Sequence, residues 1–192
     1  MAQQPFNERI SFDQFGRNFL REVVTADRVA ATIASVVGES IEVGPMAAGP
    51  RDAARATLRG RLVDVTADLA GEDEGEVMRF TALVRIECTL AVKAPALDKR
   101  YRGMLTIPLL LDVRTASPVR LMIDVEPPSA PDIGVELEAG DRSGRLIQIL
   151  GNIDDEVRAR TATEVAQRVE APEARSKREI DVLAMVDDVW HP

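Results

Sequence analysis

Across residues 77–93 the even positions are apolar without exception: Met78, Phe80, Ala82, Val84, Ile86, Cys88, Leu90 and Val92. Between them stand Arg79, Thr81, Arg85, Glu87, Thr89 and Lys93. A period of two buries one face and wets the other, which predicts a strand of an antiparallel sheet. Unbroken, such a strand is about 50 Å long at ~3.4 Å per residue. Ordinary strands hold about five or six residues, and a long sheet has to twist and curve.

The same alternation predicts neighbours for this strand. Ala56–Ala70 carries Val63, Val65, Ala67 and Leu69 on one face, and Gly60 marks a bulge or bend. The acidic stretch Gly71–Gly75 turns this strand into the 77–93 strand, and residues 94–100 make the next turn. Strand 101–115 aligns Leu105, Ile107, Leu109, Leu111 and Val113, with Pro108 marking an edge position or a bulge. Strand 119–126 buries Val119, Leu121, Ile123 and Val125, and strand 132–139 buries Ile133, Val135 and Leu137. Residues 41–50 read as a short strand and a Pro/Gly turn, and 180–182 as a short returning strand.

Helical spacing flanks the strands. Ser11 and Gln14 form a capping box, apolar residues follow at steps of three and four, and Gly38 ends the pattern. The spacing predicts one helix over 12–37, about 39 Å long. A second long helix follows a cap at Asp141–Ser143, with Leu146, Ile149, Leu150, Ile153, Val157, Val165 and Val169 as its stripe. Pro172 lies past its end, 171–179 reads as a charged linker, and 183–190 as a short helix or tail. The fold class is α+β: a long, strongly curved antiparallel sheet wrapped around one or two long helices, in the order helix, about six strands, helix, short tail. Residues 1–10 read as a flexible N-terminus, 11–183 as a single elongated domain and 184–192 as a C-terminal tail.

Charge and composition narrow the function. The 192 residues carry a formal net charge of −8, which argues against nucleic acid as a partner. Aromatic content is 4%, so aliphatic side chains build the core. The one cysteine, Cys88, falls on the buried face and reads as a small core hydrophobe. Residues 1–9 lack a signal-peptide pattern, and no uncharged apolar run reaches the ~18 residues of a membrane helix. The expected location is the cytoplasm.

Little in the chain points to catalysis. The single histidine, His191, is the penultimate residue, and one His with one Cys cannot make an ordinary zinc site. No phosphate-binding, nucleophile-elbow or His-Glu-x-x-His pattern occurs. Asp112 and Asp124 fall on neighbouring strands, either facing each other or pairing outward with Arg114 and Arg120. No catalytic residue, metal ligand or cofactor is assigned, and the expectation is a non-enzyme. The outer arginine row (Arg79, Arg85, Arg102, Arg114, Arg120) reads first as a solvated face and second as a contact for anionic lipid or protein.

The positive feature is aliphatic surface on long curved strands beside long helices. It supports either a packed core or an apolar tunnel for a lipid or other hydrophobic small molecule. The tunnel would be lined by Met78, Phe80, Val84, Ile86, Leu90, Leu105, Ile107, Leu109, Leu111, Ile149 and Ile153. The alternative is a structural or adaptor protein with a filled core. It would bind a protein partner through its surface or C-terminal tail, with Trp190 as a candidate anchor.

The layout resembles the tubular lipid-binding (TULIP) superfamily, in its small bacterial single-module members. The resemblance rests on Phe15, Val29-Ala30, Ile33, Val36-Val37-Gly38 and Ile41–Pro45 at the entry. At the exit it rests on Val135–Gly140 and Arg178–Val182. It implies a long helix gripped by a curved sheet and non-catalytic binding of phospholipid or another hydrophobic molecule. A helix-grip (START-like) fold is similar in its curved sheet and apolar cavity, and implies the same ligand class.

Overall fold

The structure is a computed structural model that describes residues 8–48, 54–73, 77–95, 97–138 and 153–190. Helices α1 (Phe12–Val23) and α2 (Ala26–Val37) precede strands β1 (Ser40–Ala48), β2 (Ala54–Asp73), β3 (Val77–Ala94), β4 (Leu97–Ala116) and β5 (Arg120–Glu126). A 3-10 turn at Ala130–Asp132 leads into β6 (Gly134–Leu137). Helices α3 (Ile153–Glu170) and α4 (Pro172–Arg178), strand β7 (Glu179–Asp181) and helix α5 (Val182–Trp190) follow. The fold is α+β, with the strands in one curled antiparallel half-barrel of order β1-β2-β3-β4-β5-β7. Strand β6 is a further partner of β4.

The 77–93 alternation becomes the central strand. Even positions of β3 from Met78 to Val92 are buried, and β3 pairs along its length with β2 and β4. On β4, Leu105 to Val113 turn inward at odd positions. Pro108 sits opposite Leu83 on β3, while the other edge of β4 pairs with β6 over 103–106 and with β5 over 110–116. The proline therefore falls in the gap between β6 and β5, where no ladder donor is needed. The β3–β4 turn is tighter than 94–100, because Ala94 already pairs with Leu97.

Strand β2 departs from its expected face. Ala54, Ala56, Leu58 and Gly60 are buried at even positions, and the register then shifts between Leu62 and Asp64. Val63 is the extra residue of this bulge and is exposed, and Val65 and Ala67 turn inward after it. Leu69 is exposed as well, although it keeps the register opposite Phe80, and a second shift follows between it and Gly71. The bulge lies three residues beyond Gly60, whose own place is set by packing: a Cβ there would lie 2.5 Å from Ile86 Cγ2. Val119 also differs from expectation, being exposed in the turn before β5.

The single helix over 12–37 is two helices. Thr25 is extended (φ −99°, ψ 155°) and caps α2 by accepting from the Arg28 N–H, and Arg28 Nη1 donates to the Val23 carbonyl at 2.9 Å. Three β-branched residues in a row, Val23-Val24-Thr25, disfavour helix continuation, and threonine favours the cap. Ser11 caps α1 through the Gln14 N–H at 3.1 Å, and Gly38 ends α2 at φ 76°. The expected linker 171–179 is mostly α4. Pro172 starts it, since proline suits the first helical position, and Ala174 is buried. Residues 141–152, with the proposed cap and Ile149, lie outside the described residues.

Candidate functional site: an apolar chamber

A chamber of about 100 Å³ lies between the helices and the inner face of the sheet. One wall is α2, whose four-residue steps place Val29, Ile33 and Val37 toward it. The floor is the middle of the sheet: Val84 and Ile86 from β3, and Ile107, Leu109 and Leu111 from β4. Ile123 and Val125 of β5, and Ile41 and Val43 of β1, extend it. Thr161 and Val165 of α3 and Ala174 of α4 close the opposite side. The walls are carbon almost throughout.

Charged groups at the edge are held by one another or by helix ends. Arg168 Nε pairs with Glu164 at 3.3 Å, and its Nη1 donates to the Val37 carbonyl at 3.0 Å. Arg178 Nη2 donates to the Val169 carbonyl at 2.7 Å. Both contacts put a cation on a carbonyl near a helix C-terminus, where the peptide dipoles favour positive charge. The Arg178 Nε and the Thr161 hydroxyl are buried and find no hydrogen-bond partner among the described residues.

Val84, Ile86, Ile107, Leu109 and Leu111 thus line the chamber, as the alternation suggests. Met78, Phe80, Leu90, Leu105 and Ile153 are buried, but in the core beyond its walls. The reason is length: β3 runs 18 residues, and the chamber occupies only its middle. Ile149 lies outside the described residues. Sequence reasoning assigned no lining role to α2, although its apolar stripe was legible. It also missed Thr161, Arg168 and Arg178, since an apolar pattern gives no signal for polar residues in a cavity wall.

Elsewhere, Asp112 and Asp124 are direct cross-strand partners on the outer face. Asp112 is held by Arg79 at 2.9 Å and Asp124 by Arg114 at 2.7 Å. Arg120 pairs with Glu179 and, at 3.9 Å, with Asp181 of β7. Of the expected partners, only Arg114 is kept. Burial, with Glu87 adding to it, pushes the Cys88 thiol up from 9.0 to about 11. Among the described residues no group of three or more His, Cys, Asp or Glu is placed to hold a metal ion, and no helix is long and apolar enough to cross a membrane. No family model and no curated protein sequence matches this chain.

Proposed function

We propose that the protein binds a hydrophobic small molecule, or one end of a lipid acyl chain, in this chamber without catalysing its reaction. The observation that carries the reading is the unfilled, carbon-walled space itself. Interiors are close-packed, with few voids larger than a water molecule. A void here forgoes dispersion contacts that bulkier side chains would restore. In this reading the curled sheet grips α2 and α3, as in the tubular lipid-binding modules that the sequence resembles. The size bounds the ligand. About 100 Å³ is below the roughly 300–1,000 Å³ of drug-sized sites. It is also below the ~150 Å³ cavity that holds benzene. A whole phospholipid requires α2 and α3 to part. Titration with an apolar fluorescent probe tests the reading: Val165→Phe, which fills the chamber, is expected to abolish uptake, and equal uptake by this variant contradicts it.

A second reading, an adaptor that docks a protein partner, has its own observation. Phe12 is 96% exposed and Phe15 59%, while Met185 on α5 is 61% exposed. Phe19 and Leu20 of α1, the turn around Val119 and Val182 of α5 border one groove. The Val182 N–H donates to the Val119 carbonyl at 3.1 Å. Here the tail is helix α5; the side chain of Trp190 lies outside the described residues. A stable complex lost on Phe12→Ser/Phe15→Ser, or on removal of 183–192, would favour this reading over the first.

A further inference from the structure

The outer face of the sheet neutralises most of its arginines pair by pair. Arg59 meets Glu42 at 3.0 Å, Arg61 meets Glu87 at 3.5 Å, and Arg79, Arg85 and Arg114 each meet an aspartate on a neighbouring strand. One end of this face breaks the rule. Arg55 on β2 stands directly opposite Lys93 on β3, and Arg100 on β4 stands opposite Ala91, two residues back along β3. None of these three cations has an ion pair or a side-chain hydrogen bond among the described residues. Arg102, the next outward cation of β4, lines a separate depression with Glu87, Glu136 and Glu138. Like charges directly opposite on neighbouring strands are destabilising. Functional sites are where such a local rule is expected to be broken.

The three cations rim a groove of about 330 Å³. Its floor is made of short side chains, Thr57, Thr89 and Ala91, and the register places Ala91 between Thr57 and Arg100. The Thr57 and Thr89 hydroxyls are uncommitted among the described residues. Glu42 also borders the groove, but Arg59 holds it. Asp98 lies opposite Lys93 without forming an ion pair. Three unpaired cations against one unpaired carboxylate leave two positive charges here. A phosphate monoester answers them, with a charge of about −1.5 to −2 and three acceptor oxygens. Guanidinium forks match phosphate oxygens. Glu42, Asp98 and, beyond Thr89, Glu87 oppose an extended anionic surface, so a compact anion fits best. The groove falls within the roughly 300–1,000 Å³ of small-molecule sites, which leaves room for the group that carries the phosphate.

We propose that this groove binds the phosphate of a small soluble phosphomonoester, held by Arg55, Lys93 and Arg100 above the Thr57 and Thr89 hydroxyls. The site lies on the outer face and is independent of the chamber on the inner one. The test adds inorganic phosphate to the full chain at constant ionic strength and follows the backbone amides by NMR, with acetate as a monoanionic control. Phosphate is expected to shift the amides of 55–59, 89–93 and 98–101 saturably, and to bind at least about tenfold more tightly than acetate. Arg55→Gln and Arg100→Gln are each expected to weaken phosphate at least about fivefold. Arg114→Gln, at an arginine tied to Asp124 outside the groove, is expected to leave phosphate binding unchanged. Without phosphate, Arg55→Gln and Arg100→Gln should keep or raise the thermal midpoint, because each relieves repulsion; a merely structural role would lower it. Phosphate should raise the parent's midpoint and not theirs. Non-saturating shifts, an equal response to acetate, or indifference of both groove variants overturns the site. Binding confined to phosphatidylcholine vesicles that contain phosphatidic acid, with inorganic phosphate inert, overturns the soluble ligand in favour of a bilayer.

Discussion

The Arg168 guanidinium on α3 donates to the Val37 carbonyl at the end of α2, 3.0 Å away and 131 residues earlier in the chain. It ties together the two helices that flank the chamber. Arg168→Met keeps the aliphatic stem and removes the donor. Since Arg168 is partly exposed, the expected loss is about 1 kcal/mol, less than a buried charge-assisted bond contributes. A urea midpoint indistinguishable from the parent's would show that the bond contributes nothing.

Cys88 is buried on β3, with its thiol pushed up to about 11. The thiolate is the reactive form, so the native protein at pH 8 is expected to resist disulfide reagents and to react once unfolded. The thiol's folded pKa lies above its unfolded one, so its contribution to stability is fully present below about pH 9. It is lost as pH rises through about 11, because the unfolded chain gives up the proton first. Thermal unfolding between pH 8 and 11 should therefore show a falling midpoint that Cys88→Ala reduces. An equal slope in that variant would assign the loss to other groups.

Gly103 on β4 lies opposite Leu137 of β6, and a Cβ there would fall 2.2 Å from the Glu136 carbonyl oxygen. Backbone cannot yield as a side-chain tip can. Gly103→Ala is expected to cost roughly 1–3 kcal/mol as overpacking and to expose the amides of 134–137 to hydrogen exchange before the rest of the sheet. Unchanged protection in β6 would mean that the strand shifts without penalty.

The outer sheet face is laced by cross-strand ion pairs, among them Arg85–Asp64 at 2.6 Å, with both side chains more than two-fifths exposed. Exposure makes such pairs weak. A double-mutant cycle on Arg85→Ala and Asp64→Ala should give a coupling below about 1 kcal/mol that shrinks further in salt. A larger, salt-insensitive coupling would indicate a pair shielded from solvent.

Much of the sheet was legible because alternation reports burial directly. From Met78 to Val92 the pattern and the burial agree residue by residue. Legibility fails where one residue resets the parity. Val63 is invisible as a bulge, since it shares the odd parity of Val65 and Ala67, and only the register of Leu62 with Ile86 and of Asp64 with Arg85 reveals the slip. The helix break at Val24-Thr25 was masked by apolar spacing that continues across it, although the β-branched run carried the signal. Five lining residues, Val84, Ile86, Ile107, Leu109 and Leu111, were among those expected from the strand pattern. Thr161 and Arg178 did not, because a polar residue in a cavity wall and one on the surface look alike without the fold.

Native mass spectrometry of freshly purified protein, followed by solvent extraction and analysis of the extract, tests the central claim most directly. The expected result is a discrete added mass that disappears on denaturation, is recovered as a hydrophobic molecule, and is absent from the chamber-filling Val165→Phe variant. A bare chain mass, with no uptake of apolar probes by either protein, would contradict the claim.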